Sequence, residues 1–82
     1  MDEEAMKKIK LLTFYNRQTT ENPSWEVYGH YKTGHNDLMD RFKTRSQAIE
    51  YCHTFVGIPV MQGVSNSIEI SKLLDLFDNQ NS

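Results

Sequence analysis

SWEVYGHYKTGHNDLMDRFKTRSQA, residues 24–48, decides the fold of this chain. Trp25, Val27 and Tyr31 fall on one side of an extended segment over 24–32, and Glu26, Tyr28, His30 and Lys32 on the other, which is the period of a strand with one wet and one dry face. Thr33-Gly34-His35-Asn36-Asp37 has the composition of a turn, and the chain returns over 38–43 with Leu38, Asp40 and Phe42 alternating against Met39, Arg41 and Lys43. An aspartate inside that alternation predicts a bulge or an edge strand. Thr44-Arg45-Ser46-Gln47 then has the spacing of a capping box, in which the threonine hydroxyl and the glutamine side chain each satisfy a backbone N–H of the other's residue.

Downstream of that cap, Ala48, Ile49, Cys52, Phe55 and Val56 share a helical face, and Gly57 followed by Pro59 supplies a stop, so a helix is expected over 45–56. Residues 58–64 are apolar enough for one more short strand, and Pro59 favours the edge of a sheet. Asn66 and Glu69 can cap a last helix whose Ile70, Leu73, Leu74 and Phe77 keep i, i+3, i+4, i+7 spacing, although residues 67–71 read equally as an extension in strand form. Upstream, Ile9, Leu11, Leu12, Phe14 and Tyr15 form a β-prone run over 7–15, closed by the polar stretch 16–23. The predicted class is α+β: a three-stranded antiparallel meander, a helix on one face, a short extra strand and an amphipathic C-terminal helix. One domain over 7–79 is expected, with flexible termini at 1–6 and 80–82.

With 82 residues there is room for a single core, and domains this small are marginal enough that a partner matters to them. A hydrophobic content of 38% and an aromatic content of 11% exclude a disordered chain, and no apolar run reaches the ~20 residues of a membrane span. No basic leader precedes an apolar stretch, and the single cysteine, Cys52, has no internal disulfide partner, so a cytoplasmic location is expected. The net charge of −2 is unevenly spread: residues 1–4 sum to −3, 5–48 to +4 and 49–82 to −3.

Little in the sequence points to catalysis. The candidate metal ligands His30, His35, Cys52 and His53 have poor spacing; Cys52 and His53 diverge by about 100° on a helix, and Cys52 belongs to the apolar face. Neither a nucleophile elbow nor a glycine-rich phosphate loop is present, and Asp75 with Asp78 reads as solvated charge. No enzymatic activity, cofactor or small-molecule substrate is expected.

If Ile9, Leu11, Trp25, Val27, Tyr31, Leu38 and Phe42 face the first helix, the opposite face of the sheet gathers Lys8, Lys10, Leu12, Phe14, Tyr28, His30, Lys32, Met39, Arg41 and Lys43. Leu12, Phe14 and Met39 are too apolar to stay wet, and the Ile70, Leu73, Leu74 and Phe77 stripe also needs cover. These seven residues form the expected protein interface, covered by the C-terminal helix, a partner or a second copy of the chain. The alternative is a nucleic-acid surface in which Lys8, Lys10, Tyr28, His30, Lys32, Arg41 and Lys43 meet phosphates and bases.

The stretch from Trp25 to Ala48 resembles two groups of small modules: the three-stranded arm-binding domain of phage and transposon integrases, and an uncharacterised bacterial family of hairpin-plus-helix proteins with a Trp-x-Val strand and a Phe-x-Thr helix start. The match spans about a third of the chain. The integrase resemblance implies sheet-borne DNA contacts at Tyr28, His30, Lys32, Arg41 and Lys43. The expected function is that of a small accessory or regulatory interaction module, with nucleic-acid binding as the alternative.

Overall fold

A computed structural model describes residues 8–19 and 21–80. The chain runs β1 (Ile9–Asn16), β2 (Trp25–Tyr31), β3 (Asn36–Phe42), α1 (Arg45–His53), β4 (Val60–Gln62) and α2 (Ser67–Gln80). The four strands form one sheet in the order β3-β2-β1-β4, antiparallel except for the parallel pair β1–β4. The fold is therefore α+β, as the alternation and the caps predict. Residues 1–6, 81 and 82, expected as flexible ends, lie outside the described residues, whereas Gln80 closes α2.

The capping box forms as its spacing predicts: Gln47 N–H donates to Thr44 Oγ1 at 3.2 Å, and Thr44 N–H donates to Gln47 Oε1 at 3.3 Å. Thr44→Ala should cost about 1 kcal/mol, read as a fall in the urea midpoint with an unchanged slope, whereas Thr44→Ser should be close to neutral. α1 ends at His53 rather than 56. Thr54 donates both its N–H and its hydroxyl to the Tyr51 carbonyl, and Phe55 N–H donates to Cys52, so the last turn tightens to three-residue spacing. That tightening swings Val56 into solvent at 92% exposure, while Phe55 stays packed on the core and Gly57 takes φ +81°.

Two irregularities reset the faces of the sheet. The β1–β2 register shifts between Ile9 and Leu11, so Ile9 shares the α1 side with Leu12 and Phe14, and Leu11 turns to the other side. The expectation that Leu11 faces the first helix while Leu12 and Phe14 lie outside is thus reversed. The β2–β3 register shifts between Val27 and Tyr28, on an edge strand, as Asp40 foretells. Met39 consequently packs on the α1 core, where Gly29, lacking a side chain, leaves room for it and for Ile9. Leu38, expected inside, instead pairs with Tyr28 and is 41% exposed.

The larger core joins Leu12, Phe14 and Val27 to Ala48 and Cys52 of α1, with Trp25, Phe42 and Tyr51 packed around them. On the other face Leu11 is fully buried beneath Ile70 and Leu74 of α2, with Met61, Val64, Leu73 and Phe77 alongside. Residues 67–71 are helical, because Asn66 Oδ1 accepts from Ile68 and Glu69 N–H and opens α2 there. The apolar stretch 58–64 contributes only three strand residues. Leu12 N–H donates to the Pro59 carbonyl and Gly63 N–H to the Phe14 carbonyl, so β4 is bound to β1 from end to end and forms the second edge.

Candidate functional site

The α2 side of the sheet is only partly covered. α2 rests on β1, and over β2 and β3 the sheet carries a set of polar and aromatic side chains centred on Glu26. Strand register brings them together: Tyr15 and Arg41 are the two cross-strand partners of Glu26. The Glu26 residue is 5% exposed, and a carboxylate at that depth is tolerable only if paired. Oε2 accepts from Arg41 Nε at 2.9 Å, and Oε1 accepts from Tyr28 Oη at 3.0 Å and lies 3.1 Å from Arg17 Nε.

The loop after β1 holds Arg17 in place. Asn16 Oδ1 accepts from Gln18 and Ser24 N–H, and Arg17 N–H donates to the Ser24 carbonyl at 2.9 Å, which pins the loop at its base. The Arg17 guanidinium lies 5.7 Å from the centre of the Tyr15 ring, and that ring stacks on Tyr28 with 5.7 Å between centroids and 8° between planes. Burial, then the neighbouring Tyr15 hydroxyl and Glu26 carboxylate, push the Tyr28 hydroxyl up to about 12, so it remains a donor to the carboxylate at every physiological pH.

Beside this cluster, Thr13 Oγ1 and His30 Nε2 are 2.7 Å apart, and the two residues are 1% and 3% exposed. They border a cleft of about 130 Å³ that runs from Tyr15, Tyr28 and Asn36 to Ser65 and Ile70 at the start of α2. Burial holds the His30 imidazole below its usual range, so the folded chain keeps it neutral where the unfolded chain takes up a proton. Stability is therefore fully present above the unfolded value of about 6.5 and is lost as the pH falls from there through the lower folded value, by at most about 1.4 kcal/mol per pH unit. Thermal melts between about pH 7.5 and 5 should show this decline, and His30→Gln should flatten it. Equal slopes in both proteins would place the linkage elsewhere.

The expected interface residues separate in space. Leu12, Phe14 and Met39 lie under α1, while Ile70, Leu73, Leu74 and Phe77 form the underside of α2 on Leu11, so neither group is a bare surface. Of the residues expected to meet nucleic acid, Tyr28 and Arg41 converge on Glu26, and His30 is buried next to them. Lys8 and Lys10 lie instead beside Gly57, Ile58 and Pro59, Lys43 follows the end of β3, and Lys32 follows the end of β2. Cys52 is fully buried in the α1 core, and burial raises its thiol, which keeps it protonated and unreactive. His35 pairs with Asp37 at 2.8 Å in the hairpin, and among the described residues no three histidine, cysteine or carboxylate groups converge as metal ligands.

Sequence reasoning missed Thr13, Tyr15 and Arg17 and gave Glu26 no role. Carried outward from the turn, a regular register sets Glu26 opposite Asp40, and only the shift between Val27 and Tyr28 brings Arg41 there, while Arg17 lies in a loop that carries no period. Compared with models of known protein families, with curated proteins and with solved structures, the chain matches none.

Proposed function

We propose that this chain is a non-enzymatic interaction module that docks a protein partner on the half of the sheet face that α2 leaves open. The observation that carries this reading is the ledge formed by Tyr15, Tyr28 and Leu38, bordered by Arg17 and Arg41, on a face whose other half is already sealed by a helix. Aromatic and arginine side chains supply most of the energy at protein interfaces, because they offer large rigid areas and directed donors.

Two observations favour a different protein over a second copy of the chain. A two-fold interface on this face would set the Arg17 and Arg41 cluster against itself, with like charges opposed. Pairing through the edge strand β3 is hindered by its bulge and by Asp37 and Asp40 along it. Nucleic acid is disfavoured because the cations on this face are few, with Lys8 and Lys10 set beside Gly57–Pro59 and His30 neutral and buried.

The test is a photoreactive benzophenone side chain placed at position 38 in cells of the source organism, with position 56 as the control, since Val56 is exposed in the turn after α1. A discrete protein adduct at 38, absent at 56 and lost when Arg41→Glu is added, is the expected result. Adducts at both positions, no adduct at 38, an adduct of doubled mass or one removed by nuclease would each overturn the proposal.

A further inference from the structure

The partner's chemistry can be taken one step further, on the strength of the reading above. Each guanidinium carries five N–H donors. Arg41 donates its Nε to Glu26, Arg17 approaches the same carboxylate through Nε, and among the described residues neither guanidinium makes another hydrogen bond. The Arg17 and Arg41 side chains are 58% and 63% exposed while that of Glu26 is 6% exposed, so the carboxylate lies behind and the guanidiniums lie in front, in contact with solvent. A buried anion thus aligns two cations from different elements, the loop after β1 and the edge strand β3, and Tyr15 supports one of them from below. Such alignment removes much of the ordering cost that a free surface arginine incurs on binding.

We infer that Arg17 and Arg41 form a receptor for a carboxylate carried by an acidic, partly apolar peptide segment of the partner. The cluster of two guanidiniums and one carboxylate has a formal charge of +1, which a single carboxylate neutralises, whereas a phosphate dianion would overshoot it and stand close to Glu26. The planar donor fork of arginine fits a carboxylate with two parallel hydrogen bonds. Tyr28 and Leu38, paired across the strands next to Arg41, give the residue beside the acid an apolar seat. A run of nucleic-acid phosphates would need a row of such sites, and among the described residues the face offers one.

The experiment measures fluorescence anisotropy of a labelled octapeptide, Gly-Ser-Glu-Leu-Glu-Leu-Ser-Gly, against its glutamine counterpart and a labelled DNA duplex, at about 50 and 150 mM salt. The acidic peptide should bind at least about tenfold more tightly than the neutral one, more weakly at the higher salt, and more tightly than the duplex. Arg17→Gln and Arg41→Gln should each weaken it about five- to tenfold, while Lys43→Gln on the same hairpin should leave it within about twofold. Equal binding of the two peptides, full binding by both arginine variants, an equal loss in Lys43→Gln or tighter binding of the duplex would overturn the inference. Should an arginine variant fail to fold, amide shifts in the unaltered protein decide instead: changes centred on Arg17, Tyr28 and Arg41 support the site, and changes elsewhere remove it. Loss of acidic-peptide binding with the adduct at position 38 retained discards only the carboxylate; loss of both discards the docking face.

Discussion

Phe14→Ala is expected to cost about 3–5 kcal/mol, a large part of the 5–15 kcal/mol that holds a domain of this kind together. Phe14 is 4% exposed in the α1 core, with its ring 6.1 Å from that of Trp25. Removing it takes away the transfer energy of the ring and leaves a void that the sheet, pinned by β4 on one side and β2 on the other, cannot close. Urea denaturation should show a midpoint displaced by more than half of its value, or a chain unfolded without denaturant. The measurement also decides the phase of β1, because a Phe14 on the outer face would be lost for less than about 1 kcal/mol.

Thr13→Val should cost about 1–3 kcal/mol although the two side chains have nearly the same shape. The substitution removes the hydroxyl that meets His30 Nε2 and leaves a buried ring nitrogen without that partner. Adding His30→Leu to Thr13→Val should recover part of the loss, since two apolar groups no longer strand a polar one. A double-mutant cycle on thermal or urea stability measures the coupling. A near-zero cost for the single change would mean that the ring turns towards the cleft and finds a partner there.

The two predictions mark where the sequence was readable. Periodicity and capping located the meander, the edge character of β3, the start of α1 and the underside of α2, because each rests on side chains near to one another along the chain. The faces of β1 were not readable. A period of two gives relative sides only, and one shifted residue between Ile9 and Leu11 exchanges every later side chain between core and exterior. A helix face tolerates such an error better, so the spacing of Ile70, Leu73, Leu74 and Phe77 groups them correctly even though alternation alone puts their destination, Leu11, on the other side of the sheet. The site was harder still. Glu26 reads as surface charge in its alternating strand, and only register with Arg41 and the closure of the loop bearing Arg17 turn it into the buried centre of a cluster.

The parallel pair β1–β4 joins Leu12 to Val60, roughly fifty residues apart along the chain, whereas β1–β2, β2–β3 and α1 close over short loops. Contacts of such different span do not form at the same pace. The meander and α1 can assemble from neighbours, whereas β4 and α2 both have to return to β1 from far along the chain. Their docking is therefore expected last, and until it occurs the apolar seat around Leu11 should stand open to association between chains. Concentration should therefore affect refolding yield more than native solubility, and substitutions that slow the docking of β4 should lower that yield before they lower the final stability.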